Sequence, residues 1–211
     1  MHKVHFDRVK SPVLANIWDI LKEVDYSVYE FGQKVDDDRK FNKLGSGSYA
    51  KVYEHEDLPG LAIRVGSSSG YGCGEHKKYV DISRRSTGQI TPKYYYFADY
   101  TSRDGWDEVE ETTVTVMEQL RDIYWDSKYR NYRDFINGYD CTMERYFSGY
   151  NSYNEEMREV RRKLGWNGRS TYNLRRQVVR AGLSFNDMHA GNILVRDTPR
   201  GPQFVITDPV A

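Results

Sequence analysis

Asp187 and Asn192 stand five positions apart in the segment Ser184-Phe185-Asn186-Asp187-Met188-His189-Ala190-Gly191-Asn192, which runs into the apolar stretch Ile193 to Val195. A second apolar stretch, Phe204 to Ile206, leads through Thr207 to Asp208 and Pro209. Pro199, Arg200, Gly201 and Pro202 lie between them and read as a hairpin turn. The spacing therefore predicts two short strands that bring an acid, an amide and a second acid to one edge of a small sheet. A carboxylate placed there can accept a proton from an attacking hydroxyl. An amide oxygen and a second carboxylate can hold Mg²⁺ against phosphates, and together these are the requirements of phosphoryl transfer. The same residue types also cap turns through their own backbone, so the rest of the chain has to decide between the two readings.

The elements that position such a loop can be read along the 211 residues. Ser11-Pro12 opens a helix, Ser as the cap and Pro in the first turn, and Val13, Leu14, Ile17, Trp18, Leu21 and Val24 fall on one face. Asp36-Asp37-Asp38 reads as a solvated linker. Phe41 to Tyr53 reads as two strands around a turn containing Gly45, Ser46 and Gly47, where the absence of Cβ atoms lets backbone N–H groups approach phosphates. Leu61 to Val65 is a strand after Pro59-Gly60, and Glu75 to Arg85 a short helix. Thr91 to Phe97 and Thr112 to Met117 are rich in β-formers and complete a small antiparallel sheet. From Leu120 the pattern turns helical: Trp125 to Phe135, Tyr139 to Phe147, Glu155 to Leu164 with Gly165 as its stop, and a helix from Ser170 or Thr171 through Ala181 with Gly182 as its stop. Strands thus precede helices, which predicts an α+β chain of two lobes sharing a cleft.

Composition bounds the function further. Hydrophobic residues make up 38% and aromatics 14%, with 18 Tyr, which is enough to bury a core and too much for a disordered chain. Lys plus Arg and Asp plus Glu both total 31, so the totals give no pull toward nucleic acid or an anionic membrane, and neither partner is expected. The local basic runs, Arg158 to Lys163 and Arg175-Arg176, read as solvated helix faces, with a docking surface for an acidic partner or nucleic acid as the alternative. Cys73 and Cys141 form no metal or redox pattern, and there is no apolar run of about eighteen residues. A soluble protein of a reducing cytoplasm follows as the expectation.

Set beside the protein-kinase motifs, Asp187, Asn192 and Asp208 keep the order of the catalytic Asp, the metal Asn and the Asp of D-F-G, while Phe185, Asn186 and Pro209-Val210 replace the flanking His, Arg and Phe-Gly. The form D-x-H-x-G-N is similar to aminoglycoside phosphotransferases. Asp187-Met188-His189-Ala190-Gly191-Asn192-Ile193 with Ile206-Thr207-Asp208-Pro209-Val210 most closely resembles the early serine/threonine protein kinases of T7-like bacteriophages, over roughly residues 40 to 211. The resemblance implies a bilobal kinase-like fold in a single domain: residues 1–40 as helix and linker, 41–118 as the sheet lobe, and 119–211 as a shortened helical lobe. It also implies nucleotide contacts from Gly45, Ser46, Gly47, Val52, Ala62 and Arg64, with Glu75 as the partner of Arg64 and Asp81 as second choice. Met117 would gate the adenine pocket, and the backbone of Glu118 and Leu120 would bond the adenine edge. Asn192 and Asp208 would hold Mg²⁺. Asp187 would be the base, and His189 would contact the γ-phosphate or the hydroxyl. His76 is read as a surface histidine.

One departure matters for the chemistry. Arg64 stands where the family has Lys, and a planar guanidinium fork is not the compact ammonium that reaches the α/β-phosphates. The function implied is ATP-dependent phosphorylation of Ser or Thr on host bacterial proteins of transcription, RNA processing or defence, with autophosphorylation, in the cytoplasm of an infected cell. The alternatives are a pseudokinase that acts by binding a partner and an aminoglycoside-type small-molecule phosphotransferase. The chain ends three residues after Asp208, where protein kinases continue with an activation segment, so either a truncated piece or a minimal kinase is expected.

Overall fold

The computed structural model describes residues 20–21, 39–47, 50–67, 73–86, 89–103, 109–150 and 155–210. It is an α+β protein, with a five-stranded antiparallel sheet, a two-stranded hairpin and five α-helices among the described residues. The chain divides into two compact units. Met1–Cys73 and Tyr94–Gln119 form the first, Gly74–Lys93 and Leu120–Ala211 the second.

In the first unit, β1 (Phe41–Ser46), β2 (Ala50–His55), β3 (Leu61–Ser67), β4 (Tyr94–Arg103) and β5 (Val109–Glu118) are arranged in the order β1-β2-β3-β5-β4. Tyr53, Ile63, Val65, Val114 and Val116 alternate along their strands, so all point to one face, where with Leu58, Leu61, Tyr96 and Ala98 they make the core of this unit. Each such burial contributes about 1.5–3 kcal/mol. Of the expected N-terminal helix, Ile20 and Leu21 are helical and Leu21 is buried in that core. The rest of that helix, the Asp36-Asp37-Asp38 linker, and Ser48 and Tyr49 of the glycine turn lie outside the described residues.

The second unit holds α1 (Cys73–Arg85), α2 (Arg130–Gly138), α3 (Asp140–Phe147), α4 (Glu155–Leu164) and α5 (Gly168–Arg180), together with the hairpin β6 (Ile193–Thr198) and β7 (Gly201–Ile206). Several helix starts differ from the sequence reading; α1, for one, begins at Cys73 rather than Glu75. Trp125 is 84% exposed and not helical; the chain makes a 3-10 turn at Ser127–Tyr129, capped by Asp126 through the Lys128 N–H, before α2 begins. α5 begins at Gly168 rather than at Ser170 or Thr171, because Asn167 takes the cap, its Oδ1 accepting from the Arg169 and Ser170 N–H groups at 2.7 and 3.4 Å. The stops fall at Gly165 and Gly182, both at φ +65°, where a side chain would be strained.

A core of Ile123, Ile136, Met143, Phe147, Met157, Val160, Leu174, Val178 and Phe185 joins the helices to the hairpin. Two polar side chains at this core have main-chain or side-chain partners. Trp166 Nε1 donates to the Phe204 carbonyl at 2.9 Å, and Arg196 reaches both Gln203 Oε1 and the Thr91 carbonyl. The hairpin register runs from Ile193 opposite Ile206 to Thr198 opposite Gly201, which makes Pro199-Arg200 the two-residue turn.

Candidate functional site

The loop from Phe185 to Asn192 has almost no regular structure, yet every backbone N–H in it except that of His189 has an identified acceptor. Phe185 N–H donates to Ser148 Oγ (2.9 Å), and those of Asn186 and Asp187 both donate to the Pro209 carbonyl (3.1 and 3.2 Å). Met188 N–H goes to Glu144 Oε1 (3.2 Å), Ala190 N–H to Asn137 Oδ1 (3.0 Å), Gly191 N–H to His189 Nδ1 (3.0 Å) and Asn192 N–H to the His189 carbonyl (3.0 Å). Helix α2, helix α3 and the residue that ends α3 therefore hold the loop through side chains, while the buried Phe185, Met188 and Ala190 anchor it in the core.

That frame fixes the functional side chains. Asn192 Nδ2 donates to Asp187 Oδ2 at 2.7 Å and to the Asp187 carbonyl at 2.9 Å. His189 Nδ1 accepts from Gly191, so its ring proton belongs on Nε2, 3.3 Å from Asp187 Oδ1. The 3.2 Å approach of Asn192 Nδ2 to His189 Nε2 is then one between two donors that both serve Asp187. Gly191 has to be glycine in this arrangement: a Cβ there would lie 2.7 Å from His189 Cε1 and 2.9 Å from Nδ1. Asp187 keeps 37% and His189 50% of its side chain exposed, so both can be reached from solvent.

Asp208 follows β7 and is delivered beside this loop. Thr207 donates to the Asn192 carbonyl from both N–H (2.8 Å) and Oγ1 (3.0 Å), and the Pro209 carbonyl accepts from Asn186 and Asp187. The strand is also held from α1, where the buried Tyr79 hydroxyl donates to the Ile206 carbonyl at 2.6 Å. One turn earlier in the same helix, His76 Nδ1 lies 3.2 Å from Asp208 Oδ1. A carboxylate only accepts, so Nδ1 carries the proton. His76 is thus no surface histidine: its side chain is 3% exposed, because its ring faces the candidate metal ligand.

The residues present fit a magnesium ion. Asp187 orients the Asn192 amide nitrogen toward itself, which turns Asn192 Oδ1 away as an acceptor, and Asp208 supplies a carboxylate 30% exposed. Among the described residues no group of three or more His, Cys, Asp and Glu forms a metal cluster. A pair of oxygen ligands is nonetheless a normal protein share for Mg²⁺, which keeps several waters and substrate phosphates.

The first unit gathers its own share of the expected residues. Val52 is opposite Arg64, Arg64 opposite Thr115, and Ala62 opposite Met117, so all five occupy the sheet face away from that unit's core. Ala62 and Met117 are buried and Arg64 is half-buried. At the β1–β2 turn, Cβ atoms on Gly45 or Gly47 would meet nothing within 4 Å among the described residues, so none of those residues demands glycine there. The Gly47 N–H is already committed to the Ala50 carbonyl at 2.8 Å, while Ser46 pairs with Lys51 at the end of the ladder. Glu118 closes β5 opposite Leu61, and Gln119 continues that edge, N–H to the Gly60 carbonyl and Nε2 to Glu54 Oε2. Hydrogen bonds from Asn42 and then Gln119 hold the Glu54 carboxyl below its ordinary pKa. Among the described residues the Leu120 N–H has no backbone acceptor, and Arg121 next pairs with Val195. Glu75 lies half-buried in the first turn of α1.

Sequence reasoning missed His76, Tyr79, Asn137, Glu144 and Ser148. Nothing in their local pattern marks them, since each acts at a distance of 37 or more positions along the chain. No family model and no curated protein matches the chain. No helix among the described residues is long and apolar enough to cross a membrane.

Proposed function

We propose that the chain is a Mg²⁺- and ATP-dependent serine/threonine protein kinase, similar to the early kinases of T7-like bacteriophages, that phosphorylates host bacterial proteins and itself. The observation that carries the reading is the 2.7 Å bond between Asp187 and Asn192 on a loop whose backbone is fixed from two helices, with Asp208 tied to the same loop through Thr207 and Pro209. In this reading Asp187, oriented by Asn192 and His189, accepts the proton of the attacking hydroxyl. Asn192 Oδ1 and Asp208 would hold Mg²⁺, which when bound neutralises charge on the phosphates. His189, half-exposed beside Asp187, is placed to donate Nε2–H to a phosphoryl oxygen or to the hydroxyl once substrate displaces its contact with Asp187. Val52, Ala62 and Met117 would supply an apolar surface for the adenine, the backbone of Glu118 and Leu120 its edge contacts, Arg64 a cation for phosphate, and Gly45, Ser46 and Gly47 a flap without side-chain bulk.

A second reading, a small-molecule phosphotransferase, is favoured by the His189–Gly191 contact, because D-x-H-x-G-N is the form such enzymes carry. Incubation of the purified chain with γ-labelled ATP, Mg²⁺ and bacterial lysate separates the readings. Label on proteins supports the kinase, and label on an added aminoglycoside with none on protein supports the second. Label on neither, with ATP still bound, replaces both by a pseudokinase.

A further inference from the structure

Away from that loop, the second unit has a cavity of about 580 Å³ between the end of α1 and the length of α5. Among the described residues its lining includes three arginines, Arg85, Arg176 and Arg180, and no carboxylate. Arg176 and Arg180 are four residues apart on α5 and so share a face, which puts two like charges side by side. Arg85 adds a third from the last turn of α1. Among the described residues the side chains of these three make no hydrogen bond, ion pair or ring contact, whereas those of Arg121, Arg133, Arg161, Arg175 and Arg196 in the same unit do. Among the other polar groups of the lining, Gln89 is turned to donate. Ser170 Oγ donates to Gln89 Oε1 at 2.6 Å, which occupies the Gln89 oxygen and leaves its Nε2 to donate. Buried Ile90 and Leu174 form an apolar floor.

Guanidinium forks and an amide nitrogen over an apolar floor, with no acid to balance them, suit a ligand that only accepts hydrogen bonds and carries more than one negative charge. The volume is that of a small-molecule site rather than of a flat docking surface. We propose that this cavity binds a small anion of the diphosphate class, held by Arg85, Arg176 and Arg180 and separate from the Asp187 loop. Arginine rather than lysine at all three positions is consistent with bidentate recognition of phosphoryl oxygens.

Titration calorimetry of the full chain with inorganic pyrophosphate, in EDTA so that no divalent cation engages Asn192 and Asp208, tests the proposal. One binding site is expected. Arg176→Gln should weaken it about tenfold, as the loss of one charged hydrogen-bonding group does. The combined Arg85→Gln, Arg176→Gln and Arg180→Gln variant should abolish it, while Asp187→Asn with Asp208→Ala leaves it unchanged. All three arginines are exposed, so these substitutions leave the core intact. Absence of binding by the wild-type chain overturns the proposal, as does unchanged affinity in the combined variant. Loss of binding in the Asp187→Asn, Asp208→Ala variant alone overturns it in favour of the loop. Binding of a phosphoserine peptide without binding of pyrophosphate overturns it in favour of a peptide-docking surface.

Discussion

The two oxygens of Asp187 have different neighbours: Oδ2 receives the Asn192 amide at 2.7 Å, and Oδ1 faces His189 Nε2 at 3.3 Å. In the proposed reading Asp187 is the base, and held this way it is oriented before substrate arrives. Asp187→Asn keeps the shape and removes the proton acceptor, so transfer of γ-phosphate to protein should fall about 10²–10⁴-fold with the melting temperature unchanged. A rate within a factor of three of wild type would show that Asp187 is a turn residue. Gly191→Ala tests the histidine indirectly. The new Cβ would come within 2.7 Å of His189 Cε1, and a half-exposed ring can move where backbone cannot. The expected result is a ring swung off Asp187, a loss of transfer rate, and a stability change below about 1 kcal/mol. A crystal structure or the histidine ring resonances would report the displacement. Should the ring stay in place with a full rate, the contact has no catalytic weight.

At the scale of elements, the loop is positioned by its neighbours more than by itself. Its flanking strands were legible because their apolar stretches are short and bounded by Pro and Gly; the hairpin spans Ile193–Thr198 and Gly201–Ile206, so of the four residues read as its turn only Pro199 and Arg200 form it and Gly201 and Pro202 belong to β7. The capping of α5 by Asn167 was not legible, since Ser170 and Thr171 offered equally good caps one turn later. Nor was the role of His76, because a helix register says which residues share a face and not which partner waits there. Two predictions belong to these supports. Tyr79→Phe removes the hydroxyl that satisfies the Ile206 carbonyl and leaves a buried acceptor, which should cost about 1–3 kcal/mol in denaturant unfolding. In the proposed reading, where Asp208 holds the metal, Mn²⁺ affinity should fall with it, because that carbonyl immediately precedes Thr207-Asp208. Glu144→Ala should cost about 1 kcal/mol through the Met188 N–H, while Glu144→Gln, which keeps an acceptor oxygen, restores the stability. Equal losses in the two variants would mean that the charge of Glu144, not its bond to the loop, is what the fold uses.

At the scale of the whole molecule, the described residues build two cores with no residue in common. One is made of Tyr53, Ile63, Val65, Val114 and Val116 on one sheet face, and the other of the helices with the β6–β7 hairpin. The boundary falls between Gln119 and Leu120, where backbone pairing changes from Gly60 to Val195. The change from strand-rich to helix-rich sequence at Leu120 was visible without coordinates. The membership of residues 74–93 in the second unit was not, because α1 lies between two strands of the first in sequence while Tyr79 and Ile82 pack into the other core. Separate cores predict separable stability. Ile63 is fully buried, so Ile63→Ala should cost about 2–5 kcal/mol, and native-state hydrogen exchange should show that loss in the amides of β2, β3 and β5. The amides of Leu174 and Val178 on α5 should keep their protection. The reciprocal variant, Ile136→Ala, should lower protection in α5 and the β6–β7 hairpin and leave the five-stranded sheet as it was. A uniform loss across both sets in either variant would mean that the two cores unfold as one cooperative unit, whatever their side chains contact.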